Sequence, residues 1–231
     1  MNILFFGDSI CNGQGIAIHK GWVTRMSQTL SELGQQFGAS ILVTNSSVNG
    51  RTTRQALETM PYEVQAHAPK VVIIQFGMND CNIWESDRGN ARVSALAFEA
   101  NLLEIIARAR TFGASAIFLN TNHPTGRDEK RCAHSTVTYE DQNRTYNRII
   151  RTVAQSAGAD VQLNDIEAIF LKTIGDNRQD LTRLVLTDLL HLSEEGHGLY
   201  YDIVYPRIAD CVRRLLSTGN DGRILHPGRA A

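Results

Sequence analysis

Five short apolar runs, Asn2–Phe6, Ser40–Thr44, Val71–Phe76, Ala116–Asn120 and Asp160–Leu163, leave this chain few architectures to choose from. Runs this short, with little polar alternation, read as strands covered on both faces. Strands that alternate with helices are joined by crossovers, which gives a parallel sheet. After the first run, Trp22, Met26, Leu30, Leu33 and Phe37 recur at helical spacing and predict a core-facing helix closed by Gly38. Further helices are expected around Arg54–His67, Ser94–Phe112, Tyr139–Ala157 and Ile166–Ile174. A last one over Glu194–Leu216 is expected to bend at Pro206. The expectation is a single doubly wound α/β domain over residues 1–216, with Ser217–Ala231 as a flexible tail.

Composition narrows the partners. A formal net charge of −1 and a pI near 6.7 show neither a basic stripe nor an acidic tail, which disfavours nucleic acid and anionic membrane surfaces. No apolar run nears the ~20 residues of a membrane span. Asp8 interrupts the first apolar stretch, which speaks against a signal peptide. The four cysteines, Cys11, Cys81, Cys132 and Cys211, show no C-x-x-C spacing, so zinc is not indicated. The reading is a cytoplasmic protein with reduced thiols and no metal or other cofactor. Cys11 and Cys81 each follow a motif described below, which makes them a candidate pair for close approach.

The strand carboxyl ends of a parallel sheet open on one edge, where such sheets place their ligands. Ser9 follows the first run, Gly50 the second, Asn79 and Asp80 the third, and His123 the fourth. A hydroxyl, a bare backbone amide and a side-chain amide gathered there are the parts of an acyl-transfer site. The base arrives late in the chain. Asp188 and His191 are three apart, so the carboxylate is able to hold one imidazole nitrogen while the other takes the serine proton.

On these residues the chain resembles the SGNH hydrolases, the GDSL-type esterase and lipase superfamily. Gly7-Asp8-Ser9-Ile10 matches the first block, with Ile10 in place of the commonest Leu, and Gly50 matches the glycine of the second. Gly77-Met78-Asn79-Asp80 matches the third block, and Asp188-Leu189-Leu190-His191 the D-x-x-H block. The resemblance implies a flavodoxin-like α/β/α sandwich with strand order 2-1-3-4-5. It implies Ser9 as nucleophile, His191 as general base and then acid, and Asp188 as the residue orienting it. The implied oxyanion hole is the N–H groups of Ser9 and Gly50 with the Asn79 amide. The implied reaction is metal-free hydrolysis of a carboxylic ester or thioester through an acyl-enzyme.

The substrate side is read from the loops. Cys81–Arg92 and Thr121–Thr138 are long and polar and are expected to cover the pocket mouth, which favours a short acyl group such as acetyl on a polar or carbohydrate alcohol. Trp84 and His123 are candidate substrate-binding residues, although an aromatic in a long loop also pins loops, and a strand-end histidine also packs. Asp8 and Asp80 read as structural, and Arg127–Arg131 as a solvated charged face. Alternatives are a thioesterase, lysophospholipase or acyltransferase using the same site, and a non-catalytic binder of acylated carbohydrate. Three rival signatures fail: G-x-S-x-G is absent, Gly13-Gln14-Gly15 lacks its third glycine because Ile18 stands there, and H-E-x-x-H does not occur.

Overall fold

The first apolar run forms β1 (Asn2–Gly7), and its side chains explain why it is apolar throughout. Ile3 and Phe5 enter one buried cluster while Leu4 and Phe6 enter another, as the two-residue period of a strand requires. The structure is a computed structural model that describes residues 1–175 and 178–220. β1 lies between β2 (Leu42–Asn45) and β3 (Val71–Gln75), followed by β4 (Ala116–Asn120) and β5 (Val161–Asn164), in the order 2-1-3-4-5. Every pairing is parallel.

Helices cover both faces. One cluster joins β1, β3 and β4 to α2 (Trp22–Gln36), α6 (Ile166–Ile174) and α8 (Glu194–Asn220). The other joins them to α3 (Thr53–Glu63), α4 (Ala95–Thr111) and α5 (Tyr139–Ser156). This is the expected three-layer sandwich. The Trp22–Leu33 stripe is buried, and Phe37 packs part-buried against it.

Two short helices were not expected: α1 (Ser9–Asn12) and α7 (Arg178–Leu184). The first is a single turn directly after β1, and the second buries Leu181 and Leu184. The last helix runs to Asn220, four residues beyond its expected end at Leu216, and 221–231 lie outside the described residues. Cys11 and Cys81 do not approach one another: they sit in the clusters on opposite faces of the sheet.

Candidate active site

Ser9 stands at the first position of α1, directly after β1. Asp8 caps that helix, its Oδ1 accepting the Ile10 N–H at 3.0 Å. A side chain at Gly7 would meet the Gln75 carbonyl and the Cys11 sulfur at 2.8 Å each, so the tight exit from the sheet requires glycine. Trp22, fully buried, donates its Nε1–H to the Ile10 carbonyl at 2.9 Å and ties α1 down to α2. The Ser9 hydroxyl lies 3.0 Å from His191 Nε2.

His191 comes with its partner in a four-residue turn. Nδ1 is 2.5 Å from Asp188 Oδ2, while Asp188 Oδ1 accepts the backbone N–H groups of Leu190 and His191 at 2.9 and 3.0 Å. Between them Leu189 adopts φ +60°, a left-handed conformation. That costs about 1–2 kcal/mol. Two hydrogen bonds to a carboxylate stabilise by about 1.5–3 kcal/mol each, taken at the low end for a part-exposed group, and outweigh it. Partial burial alone would raise the Asp188 pKa, but the His191 ring and the two N–H groups hold it below the ordinary carboxylate value. With Asp188 ionised, Nδ1 carries the proton and Nε2 faces Ser9 as an acceptor.

The loop after β2 is fastened to α1. The Val48 N–H donates to the Gly7 carbonyl at 3.1 Å, and Asn12 Nδ2 to Asn49 Oδ1 at 2.7 Å. Gly50 follows at φ +76°, and no protein atom lies within 4 Å of where a side chain would start. The demand for glycine here comes from the backbone angle, with no crowding by neighbouring protein atoms. Arg92 Nη1 donates to the Gly50 carbonyl at 3.1 Å, and its guanidinium lies 4.1 Å above the Trp84 ring. Trp84 thus stands half-exposed on the Gly50 side of the site.

Asn79 reaches in from the end of β3, its Nδ2 donating to Asp8 Oδ2 at 3.2 Å. Asp8 is fully buried, and desolvation, with help from the Asp80 charge, pushes its pKa up to about 7 against the Ile10 and Asn79 hydrogen bonds. Asp80 holds the N-terminus of α3, accepting from the Thr53 N–H at 2.8 Å and the Thr53 hydroxyl at 2.5 Å. Burial raises it to about 6.

The structure moves His123 off the pocket wall. It is fully buried, with Nε2–H donating to the Leu190 carbonyl at 2.8 Å, so it braces the Asp188–His191 turn from behind. Desolvation lowers its pKa to about 4, and the ring is neutral at pH 7. Residues 121–126 are buried as well, because α5 supplies their polar partners: Asn147 bonds both the N–H and the carbonyl of Asn122, Asn143 the His123 carbonyl, and Glu140 the Thr125 N–H and hydroxyl. Only the later part of the Thr121–Thr138 segment meets the Cys81–Arg92 loop. Between them lies a cleft of about 520 Å³ that adjoins Asp188 and Leu189. Trp84 does not line it. Its walls include Arg127, Lys130 and Arg131, which read in sequence as a solvated face. Among the described residues there is no metal-ligating cluster, and no helix is long and apolar enough to cross a membrane.

Comparison with known proteins identifies the family. The sequence pattern of the GDSL-like lipase/acylhydrolase family matches residues 5–199. An arylesterase of Vibrio mimicus is 28% identical over 122 residues, 53% of this chain and 55% of that protein. Esterase TesA of Pseudomonas aeruginosa is 27% identical over the same shares. The chain thus spans about half the length of the curated relatives it matches. An acetyl xylan esterase structure, AlAXEase, superposes with a TM-score of 0.71 at 22% identity, covering 90% of this chain and all of that one. A lipase/acylhydrolase from Enterococcus faecalis gives 0.68 at 21%, covering 99% of both chains. At these identities the structures establish the fold. With the family pattern running from β1 into α8, the chain belongs to the GDSL-like lipase/acylhydrolase family, a family of ester hydrolases.

Proposed function

We propose that this protein is a serine ester hydrolase that works through an acyl-enzyme on Ser9. The observation that carries the reading is the relay from the Ser9 hydroxyl to His191 Nε2 at 3.0 Å and from His191 Nδ1 to Asp188 at 2.5 Å. Neutral His191 takes the hydroxyl proton as Ser9 Oγ attacks the ester carbonyl. The oxyanion is met by the N–H groups of Ser9 and Gly50 and by the Asn79 amide, each worth about 3–4 kcal/mol in a dry site. His191 then gives the proton to the departing alcohol oxygen. Water adds to the acyl-Ser9 ester with His191 again as base, and the acid leaves as Ser9 regains its proton. The two bacterial relatives, an arylesterase and an esterase, support the reaction class.

The substrate in this reading carries a short acyl group, such as acetyl, on a polar alcohol. The cleft beside Asp188 supports the polar alcohol, since charged side chains and the Asn82 amide line it together with Ile83, Cys132, Ala133, Tyr139 and Leu189. Trp84 offers its exposed side to the alcohol from the Gly50 rim. A fluorophosphonate probe is expected to label the wild type and not Ser9→Ala, and absence of labelling in the wild type would refute the nucleophile. Across p-nitrophenyl esters, kcat/KM is expected to fall from acetate to longer chains. A rise toward decanoate would overturn the short-acyl assignment.

A further inference from the structure

Arg127 is held in an unusual way for a residue in an exposed charge run. Its Nε donates to the Asp188 carbonyl at 3.0 Å, and its guanidinium lies 5.4 Å from the centre of the buried Tyr139 ring. Tyr139 is itself fixed by its hydroxyl, which donates to the Met78 carbonyl at 2.6 Å, immediately before Asn79. The two Nη groups of Arg127 have no acceptor among the described residues, and the side chain lines the cleft next to the Asp188–His191 turn. A guanidinium with one nitrogen anchored and its outer fork unpaired is pre-organised for a planar, two-oxygen acceptor.

Cations outnumber carboxylates around it. Lys130 and Arg131 line the same cleft and have no carboxylate partner among the described residues. Two acidic groups face them, and both are engaged: Glu85 meets His134 Nε2 at 2.7 Å, and Asp188 holds His191. Asp128 and Glu129 of the same run do not line the cleft. The cleft lining therefore carries three cations against two carboxylates, and through Asp188 and Leu189 it adjoins the turn that holds His191.

We infer that this cleft binds a carboxylate carried by the substrate away from the scissile ester, with Arg127 as its bidentate contact and Lys130 and Arg131 raising the local anion affinity. The inference rests on the esterase reading and adds the substrate class. The carboxylate belongs either to the acyl group or to the alcohol, and paired substrates separate the two. In the acyl pair, kcat/KM is compared for p-nitrophenyl hemisuccinate and p-nitrophenyl butyrate. In the alcohol pair, it is compared for 4-acetoxybenzoate and 4-acetoxybenzamide.

One pair is expected to favour its anionic member by about tenfold, with the preference shrinking at high salt. Arg127→Lys keeps the charge and loses the fork, and is expected to cut that preference to about two- to threefold. Lys130→Gln and Arg131→Gln are each expected to lower it by about twofold through the weaker field. Equal rates within both pairs, alongside hydrolysis of the neutral esters and labelling of Ser9, would overturn the carboxylate site and leave the esterase reading standing. Full retention of the preference in Arg127→Lys would overturn the role of Arg127. Failure of every ester together with an unlabelled Ser9 would remove both readings.

Discussion

Asn79 uses one of its two amide hydrogens on Asp8 Oδ2, which leaves the other for an incoming oxyanion. Asn79→Ala is expected to lower kcat by about 100–1,000-fold with an unchanged far-UV spectrum. A variant with full turnover would remove Asn79 from the oxyanion group. At this scale the sequence was most readable where chemistry dictates the residue type: a hydroxyl, an imidazole and a carboxylate have few substitutes, and Ser9, His191 and Asp188 stand out for that reason. His123 and Arg127 were misread because their surroundings come from distant segments. His123 is enclosed partly by Phe170, 47 positions further on, with ring centres 5.7 Å apart. Arg127 looks solvated until the Asp188 carbonyl and the Tyr139 ring are placed beside it.

Among elements, the contact of α7 with the start of α8 decides where the Asp188–His191 turn sits. A Cβ at Gly196 would lie 2.0 Å from the Leu184 carbonyl oxygen, backbone against backbone, so neither element is able to yield without moving. Between them Leu186 N–H donates to the His191 carbonyl at 2.7 Å, and Val185 bridges Leu192. Gly196→Ala is expected to destabilise by about 3 kcal/mol or more in urea titration, and to reduce activity in the still-folded enzyme. Gly198→Ala is the control: its nearest neighbour is Arg25 Nη1 at 3.6 Å, and it is expected to gain up to about 1 kcal/mol from helix propensity. Equal stability of the two variants would sink the packing argument. The strands and long helices were legible in sequence because apolar runs and 3.6-residue stripes report burial directly. Helix α7 was not, since a single turn or two buries too few residues to set a period.

Across the whole molecule, buried titratable groups pull stability in opposite directions between about pH 4 and 7. Asp8 and Asp80 are raised to about 7 and about 6 from 3.8, so the folded state keeps protons that the unfolded chain has lost. Their contribution is complete below about pH 4 and disappears as pH rises through those values. His123 and His197 are both lowered to about 4 from 6.5 by burial, so their contribution is complete above 6.5 and is lost as pH falls toward 4. Asp8→Asn removes one of the two falling components. The variant is expected to gain stability relative to wild type as pH rises from about 4 to 7, measured by urea unfolding at several pH values. A difference between the two proteins that stays constant with pH would refute the Asp8 assignment. The closed turn from Asp188 to His191 has a kinetic corollary of its own. Because the Asp188 carboxylate bonds both the His191 ring and two N–H groups of its own turn, a shift of that turn is expected to carry acid and imidazole together and to lengthen the distance from His191 to Ser9. In such a shift the Asp188–His191 half of the relay stays assembled, and restoring the whole requires one distance to shorten without three atoms having to find alignment anew.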